Sequence, residues 1–123
     1  MQPKAFPFKA WVGTQFTLLA RVYDETRSLI TTGTVSSITW KIFNETGTNV
    51  SNGTMLVADS VHNTLQKDGK WTADSTGYNF AGTIPHTAIT DTGYYRVEIN
   101  FTTSSGVEFP IVFRGVGISL ESG

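Results

Sequence analysis

Residues 91–97 read DTGYYRV, and this stretch decides the fold because it opens the clearest strand of the chain. From position 95 to position 101, every odd residue is aromatic or aliphatic, and the even residues between them are polar. Alternation with period two predicts a β-strand with one buried face. After TSSG at 103–106, apolar residues return at positions 107, 109, 111 and 113. A four-residue connection that ends in glycine predicts an antiparallel hairpin.

Three more segments alternate in the same way, with apolar residues in the ranges 16–22, 38–42 and 78–84. Gly82 interrupts the last of them and predicts a bulge or a close approach of backbone. Alternation weakens between residues 44 and 75, where we predict only short strands near 54–58 and 71–73. The 19 threonines favour strands over helices, and no helix of useful length is predicted. About seven or eight short strands separated by turns predict an all-β antiparallel sandwich or a small barrel.

The two ends of the chain are predicted to contact partners. Residues 1–11 form a proline-broken apolar stretch, which either pairs as the first strand of its own fold or lies on a neighbouring subunit. Residues 115–123 alternate and could continue a sheet edge or join the sheet of another chain. Pro110 cannot donate a ladder hydrogen bond, so its strand is predicted at a sheet margin. The predicted partner-binding residues are Phe6, Phe8, Trp11, Trp71, Ile118 and Leu120.

The opening stretch also carries a motif. Asp91, Gly93, Tyr95 and Val97 form the pattern Asp-x-Gly-x-Tyr-x-Val, which resembles the tyrosine corner of immunoglobulin domains. In those domains the tyrosine stands near the start of strand F, and its hydroxyl group bonds back to nearby backbone. The resemblance implies that Tyr95 is the corner tyrosine and that the chain folds as an immunoglobulin-like β-sandwich.

The resemblance extends to the interior of the sandwich. It places Trp40 as the buried tryptophan of strand C, and it places Ala20 and Val97 where the two inter-sheet cysteines of an antibody domain would stand. Apolar residues suit such positions, because an interior site that is not cross-linked must be filled with hydrocarbon. The missing cysteine pair departs from antibody-type and receptor-type domains. A jelly roll, another sandwich and a small barrel remain as alternative folds.

A second resemblance concerns function. The segments 64–80 and 95–102 are similar to short proteins encoded among bacteriophage-like structural genes, and the opening 16–30 is similar to sandwich domains at the root of phage baseplate proteins. These resemblances imply a structural component of a phage-like particle, in its tail, baseplate, neck or capsid surface. The expected partners are other virion proteins and further copies of the chain, and the expected location is the virion after synthesis in the bacterial cytoplasm.

Composition limits the classes of function. A length of 123 residues fits one domain, predicted to span 1–123. The 9 basic and 10 acidic residues nearly cancel, which argues against a nucleic-acid partner because a phosphate backbone needs clustered positive charge. The first residues lack the pattern of a secretion signal, and no apolar run is long enough for a membrane helix. We therefore expect neither export nor a membrane partner.

The sequence shows no recognisable catalytic or metal-binding set. The chain has no cysteine, and its two histidines, His62 and His86, have no other ligand at metal-binding spacing. No Gly-x-Ser-x-Gly elbow marks a nucleophilic serine, and no Asp-x-Asp spacing marks a calcium loop. We therefore expect no enzyme activity, no cofactor and no metal.

Aromatic side chains suggest an alternative function, which is carbohydrate binding or adhesion. An exposed ring can stack on the face of a sugar, and several rings lie off the predicted inward register or near a turn. Another interpretation is that the tryptophans among them cap the ends of the sandwich. These aromatic residues are Trp11, Tyr23, Phe43, Trp71 and Tyr94.

Overall fold

The structure is a computed structural model that describes residues 5–24, 26–69, 71, 75–85 and 87–118. Within these residues the chain forms eight strands and one single-turn helix. The prediction of an all-β sandwich with about seven or eight strands is thereby confirmed. The elements are β1 (Ala5–Trp11), β2 (Phe16–Ala20), β3 (Val35–Asn44), β4 (Asn49–Met55), α1 (Val57–Ser60), β5 (Val61–Gln66), β6 (Tyr78–Ile84), β7 (Gly93–Thr103) and β8 (Glu108–Ile118).

The strands form two sheets. One sheet has five strands in the order β1-β8-β7-β3-β4, and the other has three in the order β2-β6-β5. The central strands β3, β7 and β8 take the places of strands C, F and G of an immunoglobulin sandwich, and β2, β6 and β5 take those of B, E and D. All neighbouring pairs are antiparallel except β1 and β8, which run parallel. A parallel pair needs a long crossover, and here the rest of the sandwich supplies it.

The core lies between the inner faces of the two sheets. Trp40 is buried in β3, and its indole covers the backbone of Gly53, its partner across the β3–β4 ladder. Phe80 and Phe101 meet edge to face across the two sheets, with ring centroids 5.3 Å apart. The residues that alternation places inward on β2, β3, β6 and β7 supply most of the buried hydrocarbon. The core includes Leu18, Ala20, Val22, Ile38, Trp40, Ile42, Phe80, Ile84, Tyr95, Val97, Ile99 and Phe101.

The predicted hairpin is formed by β7 and β8. The backbone N–H of Thr103 donates to the carbonyl of Val107 over 2.8 Å, and the N–H of Gly106 donates to the carbonyl of Thr103 over 2.9 Å. Gly106 has φ +92°, a left-handed conformation that L side chains rarely adopt. The hairpin and its left-handed glycine are therefore as the sequence predicts, but the loop covers residues 104–106 and is one residue shorter than the predicted connection, because Thr102 pairs with Glu108.

Three local predictions need correction. Pro110 does not mark a margin strand, because β8 lies between β1 and β7. Among the described residues, the ladder between β8 and β1 begins at Val112, and Pro110 pairs with Asn100 of β7. Gly82 lies in regular register with β2 and causes no bulge, and a side chain there would collide with Met55 and Phe80. The weakly patterned region 49–66 holds two strands and a short helix, which the sequence placed only in part.

Both terminal segments pair within the chain where the structure describes them. Residues 5–11 form β1 and run beside β8, so the intramolecular alternative holds for this stretch. Residues 115–117 of β8 have register partners on both sides, in β1 and in β7, and Ile118 pairs with Trp11 of β1. They are therefore not a free edge, which corrects that part of the prediction. No helix among the described residues is long and apolar enough to span a membrane.

Candidate functional site

The tyrosine corner is formed by the first residues of β7. The hydroxyl of Tyr95 donates a hydrogen bond of 2.6 Å to the backbone carbonyl of Asp91. Burial of the phenol, followed by the negative charge of Asp91, raises the pKa of Tyr95 above its usual value. Gly93 begins β7, and Val97 and Ala20 are fully buried in the core. Tyr95, Val97 and Ala20 are therefore parts of the packed interior, whereas Asp91 is exposed.

A second polar anchor, which the sequence analysis missed, is the buried side chain of Asn79 in β6. Its Oδ1 accepts the backbone N–H of Val22 over 2.7 Å, and its Nδ2 donates to the carbonyls of Val22 and Ile30 over 3.0 and 3.1 Å. All three bonds tie β6 to the loop that follows β2. The period-two pattern put Asn79 on the outer face, but the structure buries Tyr78, Asn79 and Phe80 in succession. Nothing in the local pattern signals this, because the partners lie far away in the sequence.

The predicted partner-binding residues do not gather into one surface. Trp11 is 48% exposed at the end of β1 and lies opposite Ile118, which is half-buried. Phe8 is half-buried and stacks on Phe16 with ring centroids 5.7 Å apart. Trp71 is half-buried, and its ring lies 5.8 Å from that of Tyr78 in the other sheet. The Phe6 side chain and Leu120 fall outside what the structure describes.

The surface that most resembles a binding site is centred on Tyr94, which was not among the predicted partner-binding residues. Its side chain is 65% exposed on the outer face of the five-stranded sheet. Two clefts flank it, of about 330 Å³ and 530 Å³, and both are lined by Asn44, Glu45, Tyr94 and Tyr95. The first cleft continues toward the loop before β7, and the second continues over β8. We call the second one the β7–β8 cleft; its lining residues are Asn44, Glu45, Gly47, Tyr94, Tyr95, Arg96, Arg114, Gly115 and Val116.

One wall of both clefts is the β3–β4 turn, which the Asn44 side chain builds. Its Oδ1 accepts the backbone N–H groups of Thr46 and Thr48 over 3.1 and 3.0 Å and the hydroxyl of Thr46 over 2.7 Å. Gly47 occupies the left-handed position of the turn with φ +85°. An asparagine that bonds the backbone two residues ahead fixes a tight turn. The wall beside Tyr94 is therefore rigid, with the exposed Glu45 at its tip.

Two arginines face each other in the β7–β8 cleft. Arg96 in β7 and Arg114 in β8 are register partners, so their side chains project from the same face. The guanidinium of Arg96 lies 4.6 Å from the centroid of the Phe43 ring, and its Nε lies 2.9 Å from Oε2 of Glu98. The Arg96–Glu98 pair is an ion pair without an aligned hydrogen bond from Nε. Arg114 is exposed and has no ion pair among the described residues.

The edges of the five-stranded sheet are a second surface that could take part in binding. Its outer strands are β1 and β4. The β1 edge carries Pro7 and Lys9, residue types that discourage strand addition. The β4 edge reads NVSNGTM and carries neither a charge nor a proline. An edge of this composition leaves backbone donors and acceptors open to another strand.

The structure brings together no catalytic or metal set among the residues it describes. No group of three or more His, Cys, Asp or Glu side chains is placed to hold a metal ion there. The ring of His62 packs edge to face on Tyr78, and the hydroxyl of Tyr78 donates to Oδ2 of Asp68 over 2.8 Å. Burial, followed by that hydrogen bond to Asp68, raises the pKa of Tyr78. His86 lies outside the described residues.

Comparison with known proteins supports the fold. No protein-family model and no curated protein matches the chain. Among solved structures, CopC from Methylosinus trichosporium OB3b superposes with a TM-score of 0.50 and 15% identity, over 97% of this chain and 88% of that one. A family 123 glycoside hydrolase from Clostridium perfringens gives a TM-score of 0.41 and 11% identity, over 94% of this chain and 23% of the hydrolase. The likeness to CopC shows a shared sandwich fold, and the likeness to the hydrolase is too weak to carry an argument.

Proposed function

We propose that the chain is a non-enzymatic structural component of a phage-like particle, located in its tail, baseplate, neck or capsid surface. It works through protein–protein contacts with virion proteins and with other copies of itself. The virion assignment comes from the sequence resemblances. The structural observation that carries the contact mechanism is the β4 edge, a seven-residue outer strand without charge or proline.

Strand addition at β4 is the simplest contact this fold offers. Each new strand pairs its backbone groups with those left open on the edge, so binding needs no pocket and no reactive side chain. A second copy that presents its own β4 would give a two-fold contact in which the same surface serves both partners. Natural edge strands avoid such pairing by carrying lysine or proline, and β4 lacks both.

A matched pair of lysine variants tests this mechanism. Thr54 in β4 and Thr39 in β3 are register partners, and both are exposed on the same sheet, but only Thr54 lies on the edge strand. Native mass spectrometry of the purified chain should show an oligomer for the wild type and for Thr39→Lys, and a monomer for Thr54→Lys. The structural proposal would be wrong if the wild type stayed monomeric at high concentration and copurified with no virion protein.

A second candidate function is carbohydrate binding, and a specific observation favours it. Tyr94 is the exposed ring between two clefts whose walls carry amide, carboxylate and guanidinium groups. A flat apolar ring beside hydrogen-bonding groups matches the two kinds of surface that a sugar presents. On a glycan array, Tyr94→Ala should abolish binding without unfolding the protein. Trp11→Ala and Trp71→Ala, which alter rings outside these clefts, serve as controls.

A further inference from the structure

We propose that the β7–β8 cleft binds an acidic saccharide, with Arg114 holding the carboxylate of the sugar and Tyr94 supporting the sugar ring. This inference rests on the carbohydrate-binding function proposed above and names its ligand class.

The first argument is the unpaired charge at Arg114. Like charges directly opposite each other on neighbouring strands destabilise a sheet, and Arg96 and Arg114 are such a pair. Arg96 is partly neutralised by Glu98 and by the Phe43 ring. Arg114 has no comparable partner among the described residues. A bound anion between the two guanidinium groups would remove the repulsion that the free protein retains.

The second argument is the location of a third cation. Lys9 in β1 is the register partner of Val116, and Val116 is the register partner of Tyr94. Lys9 is exposed at the same end of the sheet face as Arg114. The chain as a whole carries a formal charge of -1, so this positive end does not reflect a basic composition. Lys9, Arg96 and Arg114 outnumber the two carboxylates at this end, Glu45 and Glu98, by one charge. Such a local excess of positive charge favours an anionic ligand.

The third argument concerns the class of ligand, because the cleft lining suits a sugar better than a simple anion. The cleft has a volume of about 530 Å³, within the range of small-molecule sites. Its lining also includes the amide of Asn44, whose Nδ2 can donate a hydrogen bond to a hydroxyl oxygen, and the carboxylate of Glu45, which accepts hydrogen bonds from hydroxyl groups and repels further negative charge. A ligand with one carboxylate, several hydroxyl groups and an apolar ring face satisfies all of these residues. An arginine suits the carboxylate because its planar fork can donate two parallel hydrogen bonds.

The test uses hexasaccharides of pectate, hyaluronan and alginate, each paired with its carboxyl-reduced neutral form. Isothermal titration of the wild-type protein should show binding of at least one acidic form and about tenfold or greater weakening for its neutral form. Arg114→Gln should weaken the acidic ligand by about 10- to 100-fold and leave the neutral ligand unchanged, since it removes one charge-assisted contact. Tyr94→Ala should weaken both forms.

The matched control is Lys41→Gln. Lys41 is an exposed cation on β3 of the same sheet, and it does not line the cleft. The Lys41→Gln variant should therefore bind the acidic ligand with the same affinity as the wild type. If Arg114→Gln and Lys41→Gln lose equal affinity, the site responds to general charge and the inference fails. If acidic and neutral forms bind equally, carbohydrate binding stands and the acidic specificity is wrong. If no hexasaccharide binds, both are wrong.

Discussion

The two sheets of this sandwich are held in different ways. The five-stranded sheet has register shifts along β3, between Val35 and Ser37 and between Ile42 and Phe43, but its long strands β3, β7 and β8 bury an apolar face that includes Trp40. The three-stranded sheet is shorter, its β5–β6 register is interrupted, and the side chain of Asn79 attaches it to the loop after β2. Apolar packing therefore stabilises both sheets, and the small sheet has in addition the directional, buried hydrogen bonds of Asn79.

The largest expected effect concerns the apolar anchor of the large sheet. Trp40→Ala should lower the free energy of unfolding by about 3 to 5 kcal/mol, because it opens a cavity over Gly53 that the sheet cannot close. Trp71→Ala is the control beside the small sheet, where the half-buried indole lies between β5 and β6 near Tyr78, and it should cost much less. Urea denaturation measures both. Equal losses of unfolding free energy in the two variants would contradict the larger stabilising role assigned to Trp40.

The next effect concerns the polar anchor of the small sheet. Asn79→Ala should cost about 3 kcal/mol, since it leaves a buried N–H and buried carbonyl groups of Val22 and Ile30 with fewer partners. Asn100→Ala removes an exposed hydrogen bond to Glu108 in the large sheet and should change stability by about 0.5 kcal/mol or less. Hydrogen exchange should show added opening of the loop after β2 only for Asn79→Ala. Protection of that loop in the variant would contradict the anchoring role.

A smaller effect compares one tyrosine from each sheet. Tyr95→Phe should cost about 1 kcal/mol, because it deletes the hydrogen bond to the Asp91 carbonyl. The pKa values of Tyr95 and Tyr78 are both raised in the folded protein. Stability from a raised pKa is fully present below the unfolded value near 10 and is lost as the pH rises through the folded value. Between pH 8 and about 11.5, the free energy of unfolding should therefore fall less steeply with pH for Tyr95→Phe and Tyr78→Phe than for the wild type. Equal slopes in the variants and the wild type would exclude this linkage.

The smallest effect comes from two turns built alike. The sequences DETRS at 24–28 and NETGT at 44–48 share a pattern. In each turn Oδ1 of the first residue, Asp24 or Asn44, accepts three hydrogen bonds. Two come from the backbone N–H and the hydroxyl of the third residue, and one comes from the backbone N–H of the fifth. The left-handed position is Arg27 in one turn, with φ +67°, and Gly47 in the other. Arg27→Gly should stabilise by about 0.5 kcal/mol, and Gly47→Arg should destabilise by about 1 kcal/mol. Thermal melts of the two variants that shift in the same direction would contradict the shared geometry.

The sequence predicts the large sheet better than the small one for a physical reason. In β3 and β7 one face is buried and the other is exposed, so the period-two pattern of residues 38–42 and 95–101 gives both strand and face. In β6 both faces are buried near Asn79, and β5 is short and polar, so the pattern carries little information in the small sheet. The polar edge strand β4 is the exception within the large sheet. The prediction from Pro110 was wrong because proline removes a single ladder donor and does not fix where its whole strand lies in the sheet.

The candidate site was less predictable than the fold. Tyr94 was among the aromatic rings that alternation placed outward, and it is exposed. The pairing of Arg96 with Arg114 does not follow from the predicted connection at 103–106, because that connection would place Arg96 opposite Phe113. In the structure Thr102 pairs with Glu108, and this one-residue change of register brings Arg96 opposite Arg114. The position of the Asn44 turn beside the cleft could not have been predicted from the β7–β8 hairpin, because the turn belongs to the β3–β4 hairpin.

The amino-acid sequence by itself determined the strand pattern, the β7–β8 turn and the residues of the tyrosine corner, because these depend on neighbours a few positions apart. Only the tertiary structure decided that β1 runs beside β8, that Asn79 is an internal anchor, and that Lys9, Tyr94, Arg96 and Arg114 share one end of one sheet. Those arrangements join segments separated by tens of residues, and they are selected by packing and hydrogen bonding across the whole sandwich.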